Sequence, residues 1–261
     1  MTSQLLNEIL APDYTNIVTE DDTPVDNFQS EKQQRLLVEP LYSSWKPVVP
    51  FIAAANVGLF YALKQDPIVP DAFLSLDVEV PQDWNLKQNR SYFAWELGKF
   101  PEVVIEVVSN RKGGELEGKK QDYARIGIAY YAVFDPLQQL QKANELNGSL
   151  LKVWALNAKQ YVELPDPFWL EAVGLGLTLW EGKFEGRQEL WLRWCDRQGQ
   201  VILTGAERSA QAETQLEVER QRTATERQCA EAERQRAEAE RQRADRLAEQ
   251  LQAMGINPDE I

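Results

Sequence analysis

The stretch that decides the fold of this chain is VVIEVV, residues 103–108. Valine and isoleucine favour β-strands, and a continuous apolar run of this kind predicts a strand that is buried on both faces. Glu106 interrupts the run. Because an unpaired charge in a protein interior is costly, this glutamate needs an explanation. The stretch therefore predicts a central strand and points to a functional site on it.

Strand-like and helix-like segments surround this stretch. Asp71 heads the apolar run 72–76, and the run 130–134 is also strand-like. Residues 115–126 carry apolar side chains at helical spacing, and Gly127 ends that helix. The order of strands and helix predicts an α/β fold, an α+β mixed sheet flanked by helices.

Further elements are predicted from less regular patterns. Residues 36–49 are mixed and interrupted by prolines, residues 53–63 predict one short apolar element, and the aromatic run 92–96 predicts a strand. Two hairpins are predicted, one from residues 150–156 and 160–164, the other from residues 191–195 and 201–203.

Composition excludes several classes of site. The chain has 41 acidic and 28 basic residues, a net charge of −13, which argues against a protein that coats nucleic acid or binds an anionic membrane surface. Histidine is absent, which removes Ser-His-Asp triads and His-ligated zinc. The two cysteines, Cys195 and Cys229, form no CxxC pair, as expected in a reduced compartment. Carboxylate chemistry is what remains.

Four regions are predicted along the chain. A polar N-terminal arm covers residues 1–34, a folded domain covers 35–203, a long charged helix covers 204–254, and a tail covers 255–261. The N-terminus lacks the apolar core of a signal peptide, and no stretch reaches transmembrane length, so we expect a cytoplasmic protein with no membrane partner.

The predicted C-terminal helix repeats Glu-Arg-Gln every seven residues, from positions 219, 226, 233 and 240. One heptad column is nearly apolar, whereas the second column that a stable coiled coil needs is charged until Leu247. We therefore expect a long helix that forms at most a weak coiled coil and supports a homo-oligomer. Its arginines are matched by glutamates, so a role as spacer or oligomerisation element is favoured over nucleic-acid binding. The nearly apolar column consists of Leu216, Thr223, Ala230, Ala237, Ala244 and Leu251.

Asp71 and Glu106, on adjacent predicted strands, could place two carboxylates on one Mg²⁺ (or Mn²⁺) ion, with the backbone carbonyl of Val107 as a third ligand. Such an ion lowers the pKa of bound water and clamps a phosphate, which is the chemistry of phosphodiester hydrolysis. Lys119 could reach the end of the Glu106 strand from the short helix and position or activate the water or add positive charge in the transition state. This pattern predicts a metal-dependent phosphodiesterase site.

A simpler interpretation is that Asp71 is a turn residue, Glu106 lies at a sheet edge and Lys119 is solvated; spacing alone favours it. Glu96 is a reserve carboxylate. Lys120 is a rival to Lys119, but it points about 100° away around the helix.

The ordered motifs of this chain resemble the Uma-two family, a group of endonucleases that is abundant in cyanobacteria and belongs to the restriction-endonuclease-like PD-(D/E)XK superfamily. The resemblance covers roughly residues 35–195. The motifs are Pro70-Asp71, IEVVS at residues 105–109, Lys119 with Tyr123, and GIAYYAVFDP at residues 127–136.

The resemblance implies a central mixed sheet flanked by helices, divalent-metal chemistry and DNA as substrate. It assigns Asp71 and Glu106 as metal-binding acids and Lys119 as the catalytic lysine. The superfamily pattern places lysine two residues after the second acid, where this chain has Val108, so the resemblance implies that the lysine has moved to the helix. Glu31 and Glu39 are both candidates for the upstream helix acid of some superfamily members.

Two functions from different classes follow. The leading interpretation is a Mg²⁺-dependent DNA endonuclease with a C-terminal coiled-coil extension. The alternative is a catalytically inactive protein of the same fold that binds or assembles partners through its C-terminal helix. A nuclease that works with a transposition or repair partner would have the same sequence features.

Overall fold

The computed structural model of this chain describes residues 27–109 and 114–254. The chain divides into two units after Gly205, the first containing the sheets and the second the C-terminal helix. Within the described residues no helix is both long and apolar enough to cross a membrane.

The first unit is built around a six-stranded mixed sheet with the strand order β1-β3-β5-β6-β7-β8. Strands β5 and β6 are parallel, and the other neighbours are antiparallel. The predicted α/β fold with a mixed sheet is confirmed. Its strands are β1 (Phe51–Ala54), β3 (Ala72–Leu76), β5 (Val103–Val107), β6 (Tyr130–Phe134), β7 (Leu151–Asn157) and β8 (Gln160–Glu163).

Two smaller sheets complete the unit. Strands β2 (Leu59–Phe60) and β4 (Tyr92–Phe93) form a parallel pair. An antiparallel sheet contains β9 (Phe168–Leu170), β10 (Leu175–Phe184) and β11 (Arg187–Cys195), in the order β11-β10-β9.

Within residues 27–109 and 114–254, the structure has four α-helices and a short 3-10 helix at Lys87–Asn89. The α-helices are α1 (Phe28–Ser43), α2 (Ala94–Leu97), α3 (Lys120–Ile126), which follows a π-helical turn at Glu115–Lys119, and α4 (Gly205–Ala253).

Strand β5 is buried along its whole length, because both faces of the large sheet are covered. Val103, Ile105 and Val107 face a core that includes α1 and the three-stranded sheet. Val104 and Val108 face a second core that includes Tyr123 of α3. Since side chains alternate along a strand, Glu106 points into this second core.

Helix α1 differs from the sequence-based expectation. Residues 36–49 were expected to be irregular, yet α1 runs through Pro40 to Ser43 and crosses the boundary predicted between residues 34 and 35. Asn27 caps the helix, its Oδ1 accepting from the Ser30 N–H at 2.9 Å. Burial of Leu36, Leu37 and Leu41 against the sheets outweighs the hydrogen bond lost at the proline. Residues 1–26 of the predicted arm and the tail 255–261 lie outside the described residues.

Three other predictions need correction. Residues 53–63 form two elements, the end of β1 and the separate β2. The strand predicted at residues 92–96 stops after Phe93 and becomes α2. The hairpin predicted from residues 191–195 and 201–203 is the third. Strand β11 instead forms its hairpin with β10, and a single β-bridge joins Cys195 to Val201. The hairpin predicted near residue 158 is confirmed as β7 and β8.

The second unit is a 49-residue helix in which no described side chain is buried. The Arg222–Glu226 ion pair, with Nε 3.0 Å from Oε1, is one of the side-chain pairs along its surface. The predicted long C-terminal helix is confirmed, and it runs from Gly205 to Ala253.

Candidate active site

The pairing of β3 with β5 brings Asp71 and Glu106 together. Ala72 is in register with Ile105, so the next positions along the two antiparallel strands are Asp71 and Glu106. Their side chains lie on the same face of the sheet, because each is one residue away from a registered pair. Strand β5 lies between β3 and β6, so Glu106 is on an interior strand and not at a sheet edge.

Glu106 is fully buried, and both of its carboxyl oxygens are bonded. The Lys119 Nζ donates to Oε2 at 2.8 Å, and the Tyr123 hydroxyl donates to Oε1 at 2.7 Å. A buried carboxylate is tolerated when such partners satisfy it. The cost of placing Glu106 within VVIEVV is therefore offset by two residues of one helical segment.

The partners that hold Asp71 include a backbone N–H and a side-chain amide, besides a side-chain hydrogen bond with Glu106. The Val107 N–H donates to Oδ2 at 2.6 Å, and the side-chain amide of Gln34 donates to Oδ1 at 2.9 Å. The N–H and C=O of one strand residue point to the same side of the strand, so the Val107 carbonyl faces the strand edge where Asp71 lies. The acid pair and this carbonyl share one corner of the sheet.

Lys119 is presented by an irregular helical segment. Gly114, with φ of +69°, precedes the π-helical turn that ends at Lys119, and α3 continues from there. The spacing of four residues places Lys119 and Tyr123 on one helix face, and both reach Glu106. Lys120 points elsewhere, with its Nζ 3.7 Å from the centroid of the Trp154 ring. The structure thus separates the two neighbouring lysines.

The electrostatics of the cluster follow from burial. Burial raises the pKa of Glu106 to about 8, although Lys119 opposes the shift. Burial also raises the pKa of Asp71, and the Val107 N–H, the charge of Lys119 and the Gln34 amide only partly offset it. Burial opposes the charge of Lys119, but the carboxylates of Glu106 and Asp71 together outweigh burial and raise its pKa. Lys119 therefore stays cationic at neutral pH.

The other candidate residues lie outside the cluster. Glu31 pairs with Arg35, and Glu39 accepts bonds from Ser43 and from the Gly205 N–H. None of these bonds involves Asp71. Glu96 lies in α2 and not on a strand between the two acids. Val108 is buried in the second core, on the same face as Glu106.

Sequence reasoning missed Gln34 and Glu115, and it placed Tyr123 beside Lys119 without predicting the bond to Glu106. Gln34 contacts Asp71 across 37 positions of sequence, a separation that no local pattern signals. Glu115 is buried, and burial raises its pKa while Lys119 and Asp71 interact with it electrostatically. Its position at the start of a helix gave no such signal.

The donor set fits a hard divalent cation. Asp71, Glu106 and the Val107 carbonyl offer oxygen ligands only, which Mg²⁺ and Mn²⁺ prefer. Among the described residues no group of three or more His, Cys, Asp and Glu side chains could hold a metal ion. Mg²⁺ is commonly held by one or two carboxylates with water and substrate phosphate completing the shell, so a pair of acids suffices.

The sheet and its acid pair define a restriction-endonuclease-like α/β protein. The chain belongs to the Uma2 family, described as "Putative restriction endonuclease", whose sequence model matches residues 19–175, more than half of the chain. The family expected from the motifs is confirmed.

Two further comparisons give less. A crystal structure of a "putative nuclease belonging to DUF820" from Anabaena variabilis is 15% identical, with a TM-score of 0.35, and the match covers 58% of this chain and 73% of that chain. A likeness at this level adds nothing to the family match. No curated protein matches the chain.

Proposed function

We propose that this chain is a divalent-metal-dependent endonuclease that hydrolyses phosphodiester bonds of DNA. Asp71, Glu106 and the Val107 carbonyl would hold Mg²⁺ (or Mn²⁺), and Lys119 would be the catalytic cation. The observation that carries the proposal is the bond from Lys119 to the fully buried Glu106 beside Asp71. Membership in the Uma2 family supports it.

The chemistry follows from these positions. When bound, the cation would neutralise phosphate charge and lower the pKa of a water molecule. Water attacks phosphorus, the bond to the leaving oxygen breaks, and that oxygen takes up a proton. Lys119 is cationic, so it would stabilise the charge that develops on the phosphoryl oxygens and not act as the base. Tyr123 would hold the orientation of Glu106 through its hydroxyl.

Cleavage of supercoiled plasmid tests the proposal. We expect nicking that requires Mg²⁺ or Mn²⁺ and that disappears in Glu106→Gln, because the amide removes a charged ligand. Glu117→Gln is the control, since Glu117 is an exposed glutamate on the π-helical turn that carries Lys119. Equal cleavage by wild type and Glu106→Gln would refute the proposed role of the site.

The alternative is a protein that keeps the fold without catalysis and acts as a binding or scaffold module. The exposed helix α4 and the net charge of −13 favour it, because neither offers a basic surface for DNA. Metal-dependent cleavage decides between the two. Under either function we propose a cytoplasmic location, since two cysteines without a pairing pattern are typical of a reduced compartment.

We also propose that α4 self-associates with a parallel copy. The first four residues of the apolar column, at positions 216, 223, 230 and 237, are each followed three positions later by a glutamate (219, 226, 233, 240) and four positions later by an arginine (220, 227, 234, 241). The glutamates therefore flank the column on one side and the arginines on the other. In a parallel pair, opposite flanks meet and the charges match, whereas in an antiparallel pair like charges would meet.

A further inference from the structure

The side-chain amides of Asn56 and Gln34 are hydrogen-bonded to each other, and Gln34 is bonded in turn to Asp71. The Gln34 Nε2 donates to Asp71 Oδ1 at 2.9 Å and approaches Asn56 Oδ1 at 3.3 Å. The Asn56 Nδ2 donates back to Gln34 Oε1 at 2.8 Å. Gln34 is only 5% exposed, so its amide has little access to water as a substitute partner.

The hydrogen bonds that join Asn56, Gln34 and Asp71 run in one fixed donor-to-acceptor direction. A carboxylate only accepts hydrogen bonds, so the Gln34 amide must turn its NH₂ group toward Asp71. Its oxygen then faces Asn56, and Asn56 must present an NH₂ group there. Asn56 has φ of +53°, a backbone conformation that asparagine tolerates better than most residues. The residue that sets the polarity is thus also suited to its loop.

Besides its hydrogen bond with Glu106, Asp71 is anchored from two different parts of the fold. The Val107 N–H fixes Oδ2 from β5, and Gln34 fixes Oδ1 from α1. One anchor alone leaves the carboxylate free to rotate about its other bonds, whereas two define its plane. The carboxylate plane determines which lone pairs are directed toward a shared cation.

We infer that Gln34 is a positioning residue, oriented by Asn56, that fixes the Asp71 carboxylate for cation binding. This inference rests on the proposed function. Gln34 does not touch the reacting groups; it acts through Asp71. Partners of this kind commonly change metal affinity by about 10–100-fold when they are removed.

The chain offers a matched control on the same helix. Gln33 is 1% exposed, and its side-chain amide exchanges two hydrogen bonds with the Leu192 backbone, at 2.8 and 3.0 Å. Gln33→Ala therefore removes a comparable buried amide without touching Asp71. Any effect shared by Gln33→Ala and Gln34→Ala reflects the fold and not the site.

The first measurement needs no metal. Hydrogen exchange of the Val107 amide, followed by NMR, reports whether Asp71 still accepts its bond. We expect exchange about tenfold faster in Gln34→Ala than in wild type, and unchanged in Gln33→Ala. Unchanged exchange in Gln34→Ala would overturn the inference.

A second variant avoids the buried position. Asn56 is exposed, and Asn56→Asp keeps the side-chain shape and tolerates the backbone conformation. The Gln34 NH₂ group already lies 3.3 Å from Asn56 Oδ1, so the new carboxylate would draw this group away from Asp71, and the Gln34 oxygen would lose the donor that faces it. We expect Asn56→Asp to speed Val107 exchange as Gln34→Ala does. Exchange at the wild-type rate would show that Asn56 does not set the polarity.

Mn²⁺ binding, measured by calorimetry, gives the consequence for the site. We expect about tenfold weaker binding in Gln34→Ala and Asn56→Asp, with Gln33→Ala at the wild-type value. Equal Mn²⁺ affinity in all four proteins would overturn the effect on the cation. If wild type binds no Mn²⁺, the proposed cofactor fails, and Val107 exchange still decides whether Gln34 positions Asp71.

Discussion

At the scale of single residues, the cluster is governed by the cost of burying charge. Glu106 is buried on the central strand, where burial raises its pKa to about 8, and its bonds to Lys119 and Tyr123 offset part of the cost of the ionised form. Burial also raises the pKa of Asp71 and of Glu115, because desolvation disfavours the charged form of a carboxyl group. Perturbed groups of this kind are typical of functional sites.

Lys119 and Lys120 provide the sharpest residue-level test. We expect Lys119→Met to slow metal-dependent plasmid cleavage by about 100-fold or more, since the cation proposed to stabilise the phosphoryl oxygens is lost. Lys120→Met should cleave near the wild-type rate, because Lys120 packs over Trp154. Cleavage rates measured at saturating Mg²⁺ make the comparison. Similar losses in both variants would contradict the proposed role of Lys119.

Glu106 predicts a pH dependence of stability in metal-free protein. Its pKa is about 8 in the folded state and 4.5 as the ordinary value, so between these pH values the folded state holds a proton that the unfolded state has lost. The free energy of unfolding then falls as pH rises from about 5 to 8, by on the order of a few kcal/mol. Asp71, whose pKa is also raised, adds in the same direction.

Urea unfolding in EDTA at several pH values measures this slope. Glu106→Gln carries no titrating proton, so we expect a flatter profile for this variant than for wild type. A slope as steep as that of wild type would mean that Glu106 is not the group responsible.

At the scale of elements, α1 links the N-terminal part of the described chain to the site, since it carries Gln34. The helix depends on its cap, in which Asn27 accepts the Ser30 N–H. We expect Asn27→Ala to lower the free energy of unfolding by about 1 kcal/mol and Asn27→Ser to retain most of it, because serine also caps helices. Urea unfolding of the three proteins checks this. Equal stability of wild type and Asn27→Ala would show that the cap contributes nothing.

The π-helical turn at Glu115–Lys119 ends at the lysine that bonds Glu106. Val108 stands two residues after Glu106, and its side chain is buried in the second core. The turn and α3 return to the same face of β5, so Lys119 reaches Glu106 from a different element. The contact between Lys119 and Glu106 therefore joins a helical segment to a strand.

At the scale of the whole molecule, the testable property is its assembly. In a parallel pair of α4 helices, equivalent residues of the apolar column face each other. With Cys229 replaced by serine, we expect Ala230→Cys to form a disulfide-linked dimer under oxidised glutathione. Gln228→Cys in the same background should not, because it lies on the opposite side of the helix.

Non-reducing gels and light scattering measure the result. A monomeric mass for the wild-type protein, or equal cross-linking of the two cysteine variants, would refute the parallel pair.

The sequence by itself determined the central strands, the hairpin of β7 and β8, the long C-terminal helix and the identity of three site candidates. Each depends on local periodicity or composition, which the chain expresses within a few residues. It did not determine the partner of β11, the helical state of residues 36–43 or the role of Gln34. These depend on contacts between segments far apart in sequence. Only tertiary structure decides them, because burial against distant segments outweighs local preference.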